Sequence, residues 1–225
     1  MTNIEFHIAV DQELQKVGSY QYDSFLPEEL DHWLNKGVDA FVSLNMSKVQ
    51  DKPGQTFESN QEGLDSLRNL IVETDISFTD IPEENQANFT LPEDYRHYLS
   101  MRCGANYCDK PIKNPVRLMS NDDFYYSFSN PYLKPKPYSP ILRIGVGAKG
   151  TLYYADSVEP TKLTLIYIKE PSLIDGANNP NVEYTDIPSP AHEAIVGITV
   201  RRITQSMLPL DYNSKIQENM LNKDV

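Results

Sequence analysis

The sequence is poor in the residues that build disulfide frameworks and zinc sites. It has only two cysteines in 225 residues, Cys103 and Cys108, and four scattered histidines. A disulfide framework needs more cysteines in a shorter secreted chain, and a zinc site needs a second pair of ligands. The opening residues carry neither a basic segment nor an apolar core, so we expect no signal peptide. No run of about 18 apolar residues occurs, so we expect no membrane partner.

The motifs of catalysis and nucleotide binding are also missing. Gly145, Gly147 and Gly150 resemble part of a phosphate-binding glycine loop, but a strand, not a helix, is predicted after them. No serine nucleophile elbow occurs. Cys103 and His97 lie on a predicted short helix and its exit, so we expect their side chains to point to different sides. We therefore predict a protein that is not an enzyme, with no catalytic residue, no metal site and no cofactor.

Positive charge is scarce. Against 32 Asp and Glu residues the chain has 20 Lys and Arg, which gives a formal net charge of -12 at pH 7. The phosphate backbone supplies most non-specific affinity for nucleic acid and selects for Lys and Arg. We therefore expect no general nucleic-acid binding. An acidic surface also does not retain a polyanion that passes close to it.

Helical patterns dominate the first hundred residues. Apolar residues at helical spacing predict helices over 7–17 and 27–44, and Pro27 opens the second of them. We interpret this pair as a helix–loop–helix unit. Residues 45–61 are polar and predict a loop or arm. Further helices are predicted over 62–72 and 91–103, the latter because LPEDYRHYL copies the start of LPEELDHWL.

Strand patterns follow, and one helix closes the chain. A strand is predicted within 74–79 before an acidic loop that reaches residue 90, and another strand precedes a turn at Asn121–Asp122. The run ILRIGVGAKGTLYYAD predicts a hairpin, and LTLIYIK, apolar on both faces, predicts a central strand. An amphipathic helix begins near Ser189. The sequence thus predicts one α+β domain over 1–208, with a small antiparallel sheet, and an extended tail over 209–225.

The turn at Asn121–Asp122 is followed by an aromatic stretch, FYYSF, and a proline-rich segment joins this stretch to the predicted hairpin. Four prolines within Asn130–Pro140 force extended or polyproline-like backbone and exclude a central strand. Tyrosines lie in and beside the loops, as is typical of interfaces. The isolated apolar residues of the tail have no helical partners. We predict contacts with partner proteins through three residues of the proline segment and three of the tail: Tyr132, Leu133, Pro135, Ile216, Met220 and Leu221.

The order of several segments resembles a known family. EELDHWLNKGVDAFV, LPEDYRHYLS, NPYLKPKPYSP, LTLIYIKEP and the HEAIV helix follow one another as in the ring (head-to-tail adaptor or connector) proteins of crAss-like short-tailed bacteriophages, over most of residues 8–208. The resemblance implies a structural virion protein, assembled in the cytoplasm of the bacterial host. It implies a homo-oligomeric, dodecameric ring below the portal at the head–tail junction. The portal protein and neighbouring ring or tail proteins are then its partners, and genome DNA passes through without specific binding.

Two alternatives stay open at this point. One is another virion component, such as a tail hub or a cargo protein, which differs from a ring subunit by its position in the particle. The other is a tail-associated hydrolase with an unrecognised site. Such a hydrolase needs two carboxylates, or a cysteine and a histidine, that converge in a cleft.

Overall fold

The computed structural model describes residues 1–17, 25–47, 65–81, 85–107, 110–145, 147–156 and 158–207. The chain is α+β, as predicted. The chain divides into two compact units. Unit 1 comprises residues 1–70 and 171–225, and unit 2 comprises residues 71–170. No described helix is both long and apolar enough to span a membrane.

The elements of the described residues are these, in chain order. The helices are α1 (Asn3–Val17), α2 (Pro27–Ser47), α3 (Asn121–Ser129) and α4 (His192–Met207). The strands are β1 (Ile71–Ile76), β2 (Phe78–Ile81), β3 (Gln86–Thr90), β4 (Tyr95–Tyr107), β5 (Lys110–Pro115), β6 (Arg117–Leu118), β7 (Ile141–Ile144), β8 (Lys149–Tyr153) and β9 (Val158–Lys169).

Helices α1, α2 and α4 build unit 1, and α4 packs against both of the others. The apolar stripe predicted for the second helix is buried, from Leu30 to Val42. Gly37 allows α2 to approach α4 closely, because a Cβ atom there would run into the Thr199 hydroxyl. The predicted helix–loop–helix pair is confirmed in α1 and α2, although α1 begins at Asn3 and α2 runs to Ser47. Residues 45–47 of the predicted arm are therefore helical, and the rest of it lies outside the described residues.

Buried polar side chains fix the irregular segment that precedes α4. Asp31 is buried, and its Oδ1 accepts hydrogen bonds from His7 Nε2 and the amide of Gly176, both at 2.8 Å. Its Oδ2 accepts from the amide of Ala177 at 3.0 Å. One turn later Asn35 pairs with both backbone groups of Ile174, at 2.8 and 3.0 Å. Helix α2 thus holds segment 171–188 by satisfying its backbone groups.

Two sheets enclose the core of unit 2. One has the strand order β1-β9-β4-β5 and is antiparallel throughout. The other has the order β2-β3-β8-β7-β6 and is antiparallel except for the β6–β7 pair. Both contribute to one apolar cluster, in which Met101, Leu152 and Leu165 are almost fully buried. The single small antiparallel sheet of the sequence prediction is thus two sheets, while β9 is central and β7–β8 form a hairpin as predicted.

The helix predicted over 91–103 is wrong. Residues Pro92–Tyr95 form a turn, in which the amide of Tyr95 donates to the carbonyl of Pro92 at 3.2 Å. The chain then continues as β4, which pairs with β9 on one side and β5 on the other. A proline and carboxylates like those that open α2 open a turn here, because the residues after them pair with β9 from Tyr95 onward and also with β5 from Arg102 onward.

Three further expectations are corrected. The helix predicted over 62–72 ends, in its described part, with a 3-10 turn at Arg68–Leu70, and Ile71 opens β1. The acidic loop predicted up to residue 90 contains β2 and β3. The turn predicted at Asn121–Asp122 is the first turn of α3, because the hydroxyl of Ser120 accepts from the amide of Asp123 at 3.2 Å and caps the helix.

Candidate interaction surface

The predicted contact residues of the proline segment lie at the surface of unit 2. Tyr132 is 82% exposed, Leu133 is also exposed, and Pro135 is half-buried. As predicted, the segment belongs to neither sheet. The extended or polyproline-like backbone predicted for it is wrong, because the backbone forms turns and one isolated bridge between Lys136 and Ser139. Ile216, Met220 and Leu221, with the whole predicted tail, lie outside the described residues.

Hydrogen bonds hold the first part of this segment in place. Asn130 organises it, because its carbonyl accepts from the amides of Leu133 and Lys134 and its side chain accepts from the amide of Tyr132 at 3.0 Å. The Arg117 guanidinium donates to the carbonyl of Leu133 at 2.7 Å. Tyr132 and Leu133 are therefore presented on an ordered backbone, which lowers the conformational entropy lost when a partner binds.

The second part of the segment is anchored to the strand β5. The Asn114 side chain, itself buried, donates to the carbonyl of Pro137 at 2.7 Å. Tyr138 packs edge-on against Tyr107, with ring centroids 5.7 Å apart. The rest of the Tyr138 ring faces solvent. The proline segment is thus tied to residues of the sheets at Leu133 and Pro137, and Tyr132 and Tyr138 are exposed next to these ties.

Further exposed apolar residues come from the neighbouring β6 and α3. Leu118 is exposed on β6, and Tyr126 is 80% exposed on α3, where Phe124 packs inward against Tyr153. All the exposed large apolar side chains among the described residues of unit 2 fall within residues 118–138: Leu118, Tyr126, Tyr132, Leu133 and Tyr138. We call these five residues the loop surface. Sequence reasoning missed Leu118 and Tyr126, because α3 was interpreted as a turn and an aromatic stretch.

The loop surface lies in the one strongly basic part of the chain. Between Lys110 and Lys149 there are seven Lys and Arg residues and only two carboxylates, Asp122 and Asp123. Lys134 and Lys136 are exposed within the proline segment itself. Tyrosine is enriched at protein–protein interfaces, and the rim of such an interface is polar, as the lysines make the border here.

Another candidate for binding, a concave surface, lies on the outer face of the four-stranded sheet. It is a depression of about 260 Å³ with carboxylates on β1 and cations on the other strands. Asp75 accepts hydrogen bonds from Lys162 at 2.7 Å and from Thr164 at 2.8 Å, and these bonds lower the pKa of its carboxyl group. Arg102 lies 3.6 Å from Glu73. Four of the five charges of this face are engaged in the Arg102–Glu73 and Lys162–Asp75 pairs, so it is a weaker candidate for docking than the loop surface.

Cys103 and His97, the pair weighed above as a nucleophile and a base, both have pKa values that burial shifts. Cys103 is buried in the core of unit 2, and burial raises the pKa of its thiol to about 11. A thiol acts as a nucleophile only as the thiolate, so Cys103 is protonated and unreactive at neutral pH. Burial also lowers the pKa of His97, with a smaller contribution from Arg96. Among the described residues, no three His, Cys, Asp or Glu side chains come together as a metal site requires.

Neither known protein-family models nor curated protein sequences match this chain.

Proposed function

We propose that the protein is a structural component of a tailed-bacteriophage virion, a subunit of a ring in the head-to-tail connector. It docks below the portal, lines the DNA channel and carries out no chemistry. The resemblance to the ring proteins of crAss-like phages supports this assignment, as does the acidity of the chain, which leaves passing DNA unbound.

The observation that carries the proposal is the loop surface. Five large apolar side chains are exposed along 21 residues of chain, and hydrogen bonds to the carbonyls of Leu133 and Pro137 order the proline segment that presents three of them. Exposed large apolar side chains on an ordered backbone support docking to another protein. A subunit of a closed ring needs such surfaces for its neighbours.

Binding to the portal protein of the same phage tests the proposal. We expect the purified full chain to bind assembled portal, and a cryo-EM map of the virion to contain it at the portal vertex. The variant I216A/M220A/L221A is expected to bind portal at least about tenfold more weakly, because it removes the apolar residues predicted as tail contacts. The matched variant N213A/S214A/Q217A, which changes three polar residues of the same tail, is expected to bind as the natural chain does.

Three results would count against this function. Absence of the chain from the portal vertex, together with no binding to portal, removes the ring assignment. Its presence elsewhere in the particle favours a tail hub or a cargo protein. Hydrolysis of cell-wall material by the purified chain favours the tail-associated hydrolase instead.

A further inference from the structure

A second exposed apolar surface lies on unit 1, at the start of α1. Ile4 and Ile8 lie one helical turn apart on the same face, and Ile8 is 49% exposed. Val182, 56% exposed, lies beside them, because its carbonyl accepts from the amide of Asn3 at 3.0 Å. Together with their acidic neighbours these residues form what we call the α1 surface: Ile4, Ile8, Val182, Glu5, Asp11 and Glu183.

The α1 surface is the chemical counterpart of the loop surface. Both have aliphatic or aromatic centres, but the border of the loop surface is cationic, with Lys134 and Lys136, while the border of the α1 surface is acidic. Asp11 and Glu183 are exposed, as are both lysines. The whole of unit 1 carries 19 acidic and 9 basic residues, a net charge of -10, so its field also attracts a cationic partner.

We propose that copies of this chain associate head to tail, with the loop surface of one copy seated on the α1 surface of the next. This inference rests on the proposed ring function, for which it names the contact between subunits. The two surfaces are different patches of one chain, so each copy offers both. A contact of this kind is heterologous and closes into a ring when the rotation between copies allows it.

A nucleic acid is the other class of partner that the loop surface suggests. The run YLKPKPY places two tyrosines around two lysines, and such residues bind single strands by stacking and charge. The second copy is favoured, because Leu118 and Leu133 add aliphatic surface that bases do not need. The net charge of -12 also repels a polyanion from the chain as a whole.

Reciprocal charge reversal tests the contact, with self-association of the full chain measured by sedimentation velocity at low salt. We expect K134E/K136E and D11K/E183K each to weaken self-association at least tenfold, because each brings like charges together. An equimolar mixture of the two variants is expected to associate again, since the loop surface of each then complements the α1 surface of the other. The quadruple variant K134E/K136E/D11K/E183K is expected to regain self-association as well.

R201E/R202E, which reverses two exposed charges on α4, is the control and is expected to self-associate as the natural chain does.

A crosslink provides a second measurement. In a Cys108→Ser background, Tyr132→Cys chains mixed with Ile8→Cys chains are expected to form a disulfide-linked pair under mild oxidation, whereas Leu173→Cys chains with Ile8→Cys chains are not. The fold of each variant is checked by far-UV circular dichroism, and that of the unit 1 variants also by the fluorescence of Trp33, the single tryptophan.

Three outcomes would overturn the inference. The first is a chain that stays monomeric at hundreds of micromolar and forms no crosslink. The second is a mixture of the two reversal variants that fails to associate. The third is tight binding of a single-stranded oligonucleotide that K134E/K136E abolishes, which assigns the loop surface to nucleic acid. If the chain occupies the portal vertex but fails these tests, the ring function stands and only the assigned contact is wrong.

Discussion

Unit 1 and unit 2 are stabilised by different kinds of interaction. Of the eight buried polar or charged residues among the described ones, unit 1 holds seven and unit 2 holds one, Asn114. In unit 1 these side chains bond to backbone groups or to one another, as Asp31 and Asn3 do. In unit 2 the core between the sheets is almost entirely apolar. Hydrophobic burial tolerates substitutions of similar volume, whereas a buried polar network fails when one member is lost.

The two units also differ in charge. Unit 2 has 13 acidic and 11 basic residues, a net charge of -2, so most of the chain's negative charge belongs to unit 1. The difference arises largely from the basic stretch 110–149 around the loop surface. A chain divided in this way has two unlike surfaces, which is what a head-to-tail contact requires.

Each unit has its own natural reporter, which makes the comparison testable. Trp33 lies on α2 in unit 1. Cys103 lies in the core of unit 2, and its reaction with a thiol reagent reports the opening of that core once Cys108 has been replaced by serine.

The largest effect is expected from Asp31→Ala in unit 1. The substitution leaves two backbone amides and His7 without their buried acceptor, so we expect a loss of about 4 kcal/mol of unfolding free energy. Urea unfolding followed by Trp33 fluorescence measures it. Glu28→Gln, at an exposed position in the first turn of α2, is the control and is expected to cost less than about 1 kcal/mol.

The same variant tests whether the two units unfold separately. If Asp31→Ala accelerates the labelling of Cys103 as much as it shifts the Trp33 transition, the two units unfold as one cooperative body and the division in stability is wrong.

A somewhat smaller effect is expected from Leu152→Ala in unit 2. Leu152 is fully buried on β8 within the apolar cluster, and truncation leaves a cavity that costs about 3 kcal/mol. Faster labelling of Cys103 measures this loss, and Leu118→Ala, at an exposed position of the same unit, is expected to leave the rate unchanged. Restoration of most of the stability by Leu152→Met would support the apolar character of this core, whereas equal damage from both substitutions would contradict it.

The helices of unit 1 were predictable because their signal is local. Leu30, Leu34 and Val38 recur at helical spacing, and Pro27 marks the start of α2 within the same turn. The polar contacts of that helix were not predictable. Asp31 binds the amide of Gly176, which lies 145 positions away in the chain, and no local pattern connects the two.

In unit 2, local sequence patterns and contacts with distant strands favour different structures for the same segment, and the strand contacts determine the structure that forms. Pro92 and its acidic neighbours copy the start of α2, so the following segment was predicted to be a helix. Strand partners from β5 and β9 overrule that signal in β4. The proline segment was interpreted correctly as lying outside the sheets, because proline lacks the amide hydrogen that a central strand needs. Tyr132 and Leu133 of this segment are exposed, as their predicted role in contacts requires. Tyr126 depends on α3, which was not foreseen, and Leu118 lies on β6, a predicted strand whose exposed side chain was not identified.

The smallest expected effect concerns alkaline pH and also separates the two units. Burial raises the pKa of the Cys103 thiol from 9.0 to about 11, so between these values the unfolded chain releases the proton and the folded chain keeps it. The contribution of this thiol is complete below pH 9, and about 2 kcal/mol is lost as the pH rises to 11. Tyr98, whose pKa burial raises from 10.0 to about 12, adds to the loss from pH 10 upward, so the thiol accounts for the loss between pH 9 and 10. Urea unfolding followed by far-UV circular dichroism, in a Cys108→Ser background, measures the slope of the unfolding free energy against pH.

Cys103→Ala is expected to flatten this slope between pH 9 and 11 and to leave the Trp33 transition of unit 1 unaltered. An unchanged slope in that variant would show that the thiol is not the group that titrates.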